Sequence, residues 1–349
     1  MNIIESKKYI SEVRQIAKLI PSEDLTVLVT GATGLIGSCI VDVFLHASNS
    51  NIKVIVLGRN KDKLKARFNY AKHKDINYVA QNVIQPLEIP ESIDYIIHAA
   101  SNADPVSYSL YPVETILTNI YGTNNMLNYC KEHKSTRLLL TSTFEVYGQI
   151  KNQNVYIEED SGEIDLNAVR SCYPESKRCA EILMRCYQKE YDINCTIARL
   201  SSIYGPTMNR NDSKAHAQFI RRGLAGKDII LKSKGDQKRT YCYLMDAISG
   251  ILTVLFKGKC GEAYNISNEN SIVTIADVAN AVASICGTKV VFDNPDPIEQ
   301  RGFSRSQNCI LDNKKLRELG WHGKYSLNNG LLSTLHILRE LSYLEGLKK

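Results

Sequence analysis

The sequence predicts an α/β protein built on a doubly wound parallel sheet, with helices covering both faces. Short β-rich runs alternate with helical stretches of ten or more residues, and a glycine-rich turn joins the first run to the first such helix. The chain has 349 residues, 44% of them apolar and 23% charged, which is the composition of an ordinary globular protein. This length is sufficient for about two domains, each with a buried core.

The elements follow in order from residue patterns. Residues 1–24 are predicted to form a short helical extension that ends at Pro21. Thr26–Thr30 is the first β-rich run, and apolar residues recur at helical spacing from Ser38 to Ala47. The further runs interpreted as strands are Lys53–Leu57, a segment near Tyr78, Ile93–Ile97 and Arg137–Thr141.

Composition also excludes several classes of protein. The net charge is a modest +6, and the basic residues are scattered rather than gathered in a stripe with interleaved aromatics, so we expect no nucleic-acid partner. No apolar run approaches the ~18 residues that span a bilayer, and the first 20 residues lack a secretory pattern, so we expect no membrane anchoring and a cytoplasmic location. The ten cysteines include no CxxC pair, and no metal site is expected.

The glycine-rich turn has the spacing of a dinucleotide-binding loop. Gly31, Gly34 and Gly37 follow a strand and open a helix, which is the context that phosphate binding requires. Gly31 permits the tight turn, Gly34 admits a pyrophosphate, and Gly37 allows the helix to pack closely on the strand. The free N–H groups of the helix N-terminus then face the anion. The sequence therefore predicts a Rossmann domain with a bound NAD or NADP.

The choice between NAD and NADP depends on the end of the second strand. An acid there binds the ribose 2′-hydroxyl and disfavours a 2′-phosphate. This chain has Gly58, Arg59 and Asn60 instead. Arg59 can clamp a 2′-phosphate, stack on adenine or point into water, so the residues favour NADP only slightly and leave both cofactors open.

A tyrosine and a lysine four residues apart are the candidate catalytic pair. Tyr173 and Lys177 lie on one face of a predicted helix. An ammonium beside a phenol lowers the pKa of the phenol, which would make Tyr173 a base for a substrate hydroxyl. The run Thr141–Gly148 lies about 30 residues earlier at a strand end and strengthens this interpretation.

Taken together, these motifs resemble those of extended short-chain dehydrogenases/reductases of the nucleotide-sugar epimerase/dehydratase family. The resemblance covers about residues 25 to 340. Within the family, the runs from Tyr111 to Leu127 and from Arg199 to Pro206 look most like UDP-glucuronate decarboxylases. The matching pieces are GATGLIG (31–37), HAAS (98–101), TSTFEVYG (141–148), YPESK (173–177), Tyr204-Gly-Pro206, Arg239, Asp246 and Lys315–Trp321.

The resemblance implies a two-domain organisation. A Rossmann domain over 25–200, with a segment returning near 237–268, would bind the dinucleotide. A smaller C-terminal domain over 201–236 and 269–349 would bind a nucleotide-diphosphate sugar. Members commonly form homodimers through two long helices, here expected near 113–133 and 173–191. The implied cofactor-binding residues are Gly31, Thr33, Gly34, Leu35, Ile36, Gly37, Arg59, Ala99, Ala100, Ser101, Thr118, Thr141, Tyr173 and Lys177.

By the same resemblance, Thr143 and Tyr173 would contact the sugar C4 hydroxyl, whose oxidation gives a 4-keto intermediate. That ketone opens decarboxylation, epimerisation or dehydration. Phe144 and Glu145 follow Thr143, where decarboxylases have Ser-Glu and dehydratases Asp-Glu, so the pair is a hybrid. Strand alternation predicts that Thr143 and Glu145 leave one face and Phe144 the other. Glu145 is the candidate for proton transfer after carbon dioxide leaves.

The substrate side departs from the family pattern. Ser202 stands where members often have an Asn that binds the diphosphate, and Lys232 lies near a position that is often aromatic. Arg239 fits the phosphate-binding arginine of the family, and Arg301 is a second candidate contact. The nearest functional match is a UDP-glucuronate decarboxylase. The alternatives are an NADPH-dependent 4-ketoreductase, which Arg59 favours, a 4-epimerase, which Phe144 favours, and a catalytically silent dinucleotide sensor.

Overall fold

The computed structural model describes residues 2–48, 51–71, 74–294 and 308–347. Its strands are β1 (Leu25–Thr30), β2 (Ile52–Gly58), β3 (Ile76–Ala80), β4 (Tyr95–His98), β5 (Arg137–Thr143), β6 (Val155–Tyr156), β7 (Cys195–Leu200), β8 (Ser202–Tyr204), β9 (Ile229–Leu231), β10 (Lys238–Tyr243), β11 (Ala263–Ile266), β12 (Ile272–Thr274), β13 (Val290–Phe292) and β14 (Ile310–Leu311). Its α-helices are α1 (Lys7–Ala17), α2 (Leu35–Leu45), α3 (Lys61–Arg67), α4 (Pro105–Leu110), α5 (Pro112–Glu132), α6 (Cys172–Tyr191), α7 (Ala215–Leu224), α8 (Leu244–Lys257), α9 (Ile275–Cys286), α10 (Lys314–Glu318) and α11 (Leu327–Leu347).

Seven parallel strands form the central sheet, in the order β11-β7-β5-β4-β1-β2-β3. The order reverses at β1, which pairs with β2 on one side and β4 on the other. The predicted fold class is confirmed: the sheet is doubly wound. Each run predicted as a strand lies within or overlaps one of β1 to β5, and the helix predicted after the glycine-rich turn is α2.

Alternating side chains of the sheet enter two separate cores. Val27 and Val29 of β1 pack in a core with α2 and α8, whereas Leu28 between them packs in a core with α5 and α6. Buried parallel strands of this kind are apolar on both faces, which explains their near-continuous Val, Ile and Leu runs. The sheet edge where the strands end is therefore held rigidly from both sides.

A smaller lobe follows β7. It contains the three-stranded sheet β12-β10-β8, the pair β13-β9, and the helices α7 and α9. Between β10 and β12 the chain returns to the central sheet as α8 and β11. In the described parts of the chain, no helix has the length and apolarity that a membrane crossing requires.

Candidate active site

A cleft of about 690 Å³ lies between the carboxyl edge of the central sheet and the smaller lobe. This is the edge at which open α/β sheets bind ligands, beside the point where strand order reverses. Most of the residues predicted from sequence meet there. Those that line the cleft are Gly31, Gly34, Leu35, Ile36, Gly37, Ala99, Ser101, Thr141, Thr143, Glu145, Tyr173, Lys177, Ser202 and Arg239.

The glycine-rich loop is closely packed against its surroundings. Gly31 has a φ of +64°, and a Cβ there would lie 2.6 Å from the carbonyl oxygen of Ala99. A Cβ at Gly37 would lie 2.4 Å from the carbonyl oxygen of Gly31. Gly34 is the N-cap of α2 and offers no side-chain cap, so the first N–H groups of the helix face the cleft. Any larger residue at 31 or 37 would displace the loop from β4 or from α2.

The residues present fit a dinucleotide. The hydroxyl of Ser101 lines the cleft and is buried without a hydrogen-bond partner in the structure, which is the state expected of a side chain that binds a ligand. The uncapped N-terminus of α2 suits a pyrophosphate. Thr30 fixes the floor of the site, because its Oγ1 accepts hydrogen bonds from the backbone N–H groups of Ala99 and Ala100, each at 3.1 Å.

Four of the predicted cofactor residues lie outside the cleft lining. Thr33 is exposed in the glycine-rich loop, and Ala100 packs against the core on the α5 side. Thr118 is half-buried on α5. Arg59 follows β2 and forms an ion pair with Glu114 of α5, with Nη1 2.6 Å from Oε1. A 2′-phosphate bound by Arg59 would therefore compete with the carboxylate of Glu114. The position of Arg59 in the sequence does not predict this ion pair.

Tyr173 lies at the start of α6, with its ring buried against Tyr108. The two rings stack at 5.2 Å between centroids, with planes 17° apart. Burial raises the pKa of the Tyr173 phenol, and Glu145 raises it further, whereas the hydrogen bond with Thr143 and the charge of Arg170 lower it. The lowering expected from Lys177 is not seen. The groups that favour the phenolate are Thr143 and Arg170 instead.

Lys177 lies one helical turn after Tyr173 and is 3% exposed. Its Nζ donates a hydrogen bond to the carbonyl oxygen of Thr141 at 2.9 Å. Burial lowers the pKa of the Lys177 ammonium to about 8, with Glu181 opposing the shift. The carbonyl of Thr141 thus fixes the lysine ammonium beside β5.

The backbone after Thr143 differs from the expected strand alternation. β5 ends at Thr143, and residues Phe144–Tyr147 form a 3₁₀ helix whose N-cap is Thr143. The Thr143 hydroxyl accepts a hydrogen bond from the N–H of Glu145 at 3.3 Å, which stabilises the turn. Phe144 and Glu145 consequently both line the cleft, and the prediction that Phe144 faces away from it was wrong.

Arg170 is a cleft residue that the sequence reasoning missed. It lies in the 3₁₀ helix Val169–Ser171, three residues before Tyr173. Its Nη2 is 2.8 Å from Oε2 of Glu145, and its guanidinium lies 5.6 Å from the centre of the Tyr108 ring. Its position three residues before Tyr173 is the feature of the sequence that could have identified Arg170 as a site residue. Glu145, Arg170, Tyr108 and Tyr173 form a continuous group at one end of the cleft.

The smaller lobe contributes further polar side chains to the cleft. Ser202 and Arg239 line the cleft as predicted, whereas Arg301 lies outside the described residues. Burial lowers the pKa of His216 to about 4, so its ring is neutral at pH 7. Charged and polar residues that sequence reasoning did not assign also line the cleft: Asn209, Asn211, Asp212, Ser213, Lys214, Gln218, Ser233 and Gln237.

A further polar contact joins the two sides of the cleft. Ser213 of the smaller lobe donates a hydrogen bond to Asp104 at 2.8 Å and accepts one from the N–H of Val106 at 3.1 Å. Asp104 is the N-cap of α4. Among the described residues, no group of three or more His, Cys, Asp or Glu side chains is arranged to hold a metal ion.

Comparison with known proteins identifies the family. The model of the NAD dependent epimerase/dehydratase family matches residues 27–267, which is more than half of the chain. The chain belongs to this family, and it is an enzyme. It is 35% identical to UDP-glucuronic acid decarboxylase 6 of Arabidopsis thaliana over 319 residues, covering 88% of this chain and 87% of that protein. It is 30% identical to UDP-glucuronic acid decarboxylase 1 of Xenopus tropicalis, over 90% and 72% of the two chains.

Solved structures of family members share the fold. A dTDP-glucose 4,6-dehydratase from Bacillus anthracis in complex with NAD superposes with a TM-score of 0.77 at 22% identity, over 91% of this chain and 98% of that one. A UDP-glucuronic acid 4-epimerase from Bacillus cereus, in complex with UDP-glucuronic acid and NAD, gives a TM-score of 0.74 at 24% identity, over 91% and 100%.

Proposed function

We propose that this enzyme is an NAD-dependent decarboxylase of UDP-glucuronate that works through a 4-keto sugar. The observation that carries the proposal is the grouping of Thr143, Glu145 and Tyr173 at one end of the cleft, with Arg170 ion-paired to Glu145. The relatives named above, at 30–35% identity, are called UDP-glucuronic acid decarboxylases, which favours the same substrate and reaction.

The cofactor would lie along the glycine-rich loop, Ser101 and Lys177. When bound, NAD supplies a reversible acceptor for the hydride of the sugar C4. Tyr173 takes the proton of the C4 hydroxyl, and Thr143 holds that oxygen and the phenol in hydrogen-bonding geometry. Lys177, fixed by the carbonyl of Thr141, is placed to bind the nicotinamide ribose. The preference is for NAD, because Glu114 beside Arg59 disfavours a 2′-phosphate.

Loss of carbon dioxide follows from the ketone. With C4 oxidised, the C6 carboxylate is part of a β-keto acid, so the C5–C6 bond breaks and its electron pair moves onto the C4 oxygen. Tyr173 and Thr143 stabilise that oxygen by hydrogen bonds, as an oxyanion hole does. C5 then takes up a proton, and Glu145 holds the sugar or passes that proton to C5 from water. C4 regains its hydride while Tyr173 returns the proton to the C4 oxygen, which yields the UDP-pentose and leaves the cofactor oxidised again. Arg170 reduces the repulsion between Glu145 and the substrate carboxylate, since it is a cation at the same end of the cleft.

The nucleotide diphosphate would lie toward the smaller lobe. Arg239 and Ser202 are the proposed contacts with the phosphates, and Lys232 lines the same part of the cleft. Arg301 remains a predicted contact. A diphosphate carries enough negative charge to require such cationic and hydroxyl partners when it leaves water.

The test supplies UDP-glucuronate and NAD and measures released carbon dioxide and a UDP-pentose. In Glu145→Gln, C4 oxidation and reduced cofactor should persist while carbon dioxide release slows by at least about tenfold. Release of carbon dioxide by the wild type and its slowing in the variant support the proposal. No carbon dioxide from the wild type overturns it.

C4 epimerisation is the second candidate. Phe144 places an apolar ring in the cleft directly after Thr143, where a residue without acid–base chemistry suits simple inversion. The same reaction mixture separates the two functions, because an epimerase yields UDP-galacturonate and no carbon dioxide. The hypothesis of an NADPH-dependent 4-ketoreductase depended mainly on Arg59 as a contact for the 2′-phosphate. It is weakened because Arg59 is paired with Glu114.

We also propose a homodimer through α5 and α6. These two long helices pack against each other and leave apolar side chains exposed on their outer surface. Val113, Tyr121 and Ile182 are 67%, 52% and 60% exposed. An apolar helix-pair surface of this kind is typical of a face that a second copy covers.

A further inference from the structure

Phe144 is the residue by which this chain departs from the decarboxylase and dehydratase patterns, and the proposed reaction gives it no task. It opens the 3₁₀ helix after Thr143, and its ring packs against a small buried cluster of Tyr147, Tyr156 and Leu311. Tyr147 and Tyr156 are at most 1% exposed. The Phe144 ring therefore packs on buried side chains and also lines the cleft.

The guanidinium of Arg239 lies over this ring, with its central carbon 5.2 Å from the ring centre. Arg239 is 8% exposed and belongs to β10, where its backbone pairs with Val273 and bridges to Cys309. A cation within about 6 Å of an aromatic face is attracted by the negative charge of the ring face. Arg239 thus approaches the cleft from the smaller lobe, and Phe144 meets it from the central sheet.

We propose that Phe144 is a positioning residue that holds the Arg239 guanidinium over its ring, oriented for the diphosphate of the substrate. A ring at 144 attracts the cation through its face and does not accept hydrogen bonds from the in-plane N–H groups, whereas a carboxylate at 144 would. Fixing the long arginine side chain before binding reduces the entropy lost when a phosphate is bound. The inference rests on the proposed role of Arg239 in the nucleotide-sugar function.

The contact between Phe144 and Arg239 connects the proposed reacting groups with the proposed diphosphate contact. Thr143 and Glu145, on either side of Phe144 in sequence, are the proposed reacting groups, and Arg239 is the proposed diphosphate contact; all three line the cleft. One ring next to the reacting groups therefore sets the distance between the phosphate contact and Thr143.

The experiment measures binding of UDP and of uridine to the enzyme with NAD present, by calorimetry or competition. Phe144→Leu keeps apolar bulk and removes the ring face, and Phe144→Tyr keeps the face. We expect Phe144→Leu to weaken UDP binding by about 3- to 30-fold, which corresponds to the usual strength of such a contact. Uridine binding should be unchanged, and Phe144→Tyr should bind UDP within about twofold of the wild type.

A double-mutant cycle with Arg239→Met provides the decisive comparison. If Phe144 acts through Arg239, Phe144→Leu has no further effect on UDP binding once the arginine is absent. The inference is overturned if Phe144→Leu binds UDP like the wild type, if it weakens uridine and UDP alike, or if its effect persists without Arg239. A wild type that binds neither UDP nor dTDP overturns the nucleotide-sugar function itself. If dTDP binds better than UDP, binding of dTDP and thymidine is measured for the same variants.

Discussion

At the scale of single residues, burial is the main cause of the pKa shifts of Tyr173 and Lys177 in the cleft. Tyr173 is 7% exposed, and burial raises the pKa of its phenol, so the resting side chain is protonated at neutral pH. Thr143 and Arg170 act against this shift, and Glu145 adds to it. The Glu145 carboxylate therefore makes the phenolate of the proposed base Tyr173 harder to form, and replacing Glu145 by Gln should lower the pKa of the phenol.

Replacing Tyr173 by Phe should retain the fold and cofactor binding but remove the proton acceptor. We expect turnover to fall by about 10²- to 10⁴-fold, the usual contribution of a general acid–base group. The measurement is the rate of reduced-cofactor formation on mixing with UDP-glucuronate. Tyr191→Phe, at the other end of the same helix, is the control and should react normally. Near-normal turnover in Tyr173→Phe would disprove the assignment.

Lys177 gives a prediction about stability and pH. Its pKa is about 8 in the folded chain against 10.5 for an ordinary lysine, so between these values the unfolded chain binds more protons than the folded one. The unfolding free energy therefore rises with pH between about 8 and 10.5. Below pH 8 the folded chain carries the full free-energy cost of a buried, charged lysine. Relative to Lys177→Met, the cofactor-free wild type should gain roughly 2–3 kcal/mol in unfolding free energy between pH 7.5 and pH 10. A difference independent of pH in urea titrations would contradict the prediction.

Arg59 and Glu114 are the residues at which cofactor preference is tested. With the ion pair intact, the wild type should bind NAD more tightly than NADP. Glu114→Gln removes the carboxylate and leaves Arg59 for a 2′-phosphate, so NADP affinity should rise by about tenfold. Arg59→Ala should change NAD affinity little. Tighter NADP binding by the wild type, lost in Arg59→Ala, would instead establish the clamp.

At the scale of elements, helix α1 joins the two parts of the molecule. Its Tyr9 donates a hydrogen bond to Asp42 of α2 at 2.6 Å. Its Glu12 accepts hydrogen bonds from Tyr243 of β10 at 2.7 Å and from Ser333 of α11 at 2.6 Å. Both residues are at most 2% exposed. The N-terminal extension, to which sequence reasoning assigned no chemistry, is a structural part of the fold.

Removing the carboxylate of Glu12 should destabilise the protein. Glu12→Ala removes the buried acceptor that Tyr243 and Ser333 share and leaves Tyr243 only the Ser333 hydroxyl, at 3.2 Å. The loss should cost about 2–4 kcal/mol in unfolding free energy. Arg14→Ala, on the exposed face of the same helix, is the matched control and should stay within about 0.5 kcal/mol of the wild type. Urea unfolding measures both. Equal stability of the two variants would show that α1 contributes little to the fold.

At the scale of the whole molecule, the cleft lies where the central sheet and the smaller lobe face each other. One continuous core joins the two parts, since Val29 of β1 and Ile220 of α7 belong to the same buried cluster. The central sheet supplies the glycine-rich loop, Thr143 and Tyr173, and the smaller lobe supplies Ser202 and Arg239. Ser213 joins the lobe to α4 across the opening. The outer surface of α5 and α6 is the proposed contact with a second copy, so assembly would brace the helix that carries the proposed catalytic residues Tyr173 and Lys177.

The dimer is tested by placing a charge on this surface. The wild type should have about twice the 39.2 kDa mass of the chain in sedimentation experiments. Ile182→Asp buries a carboxylate in an apolar contact and should weaken association by at least about tenfold. Phe292→Asp changes a residue of β13 that is 72% exposed, far from α5 and α6 in sequence, and should leave the mass unchanged. A monomeric wild type, or a dimeric Ile182→Asp, would refute this interface.

The sequence by itself determined the features that depend on local pattern. Apolar periodicity predicted the strands and α2, and the glycine spacing predicted the phosphate loop, because helical and extended chains have fixed side-chain repeats. The tertiary structure decided what depends on neighbours distant in the chain. Glu114 reaches Arg59 from 55 residues away, and Arg170 reaches Glu145 from 25 residues away. Burial sets the pKa of Tyr173, and the 3₁₀ turn after Thr143 brings Phe144 under Arg239. Such contacts and desolvation energies arise from packing between elements, which no local pattern encodes.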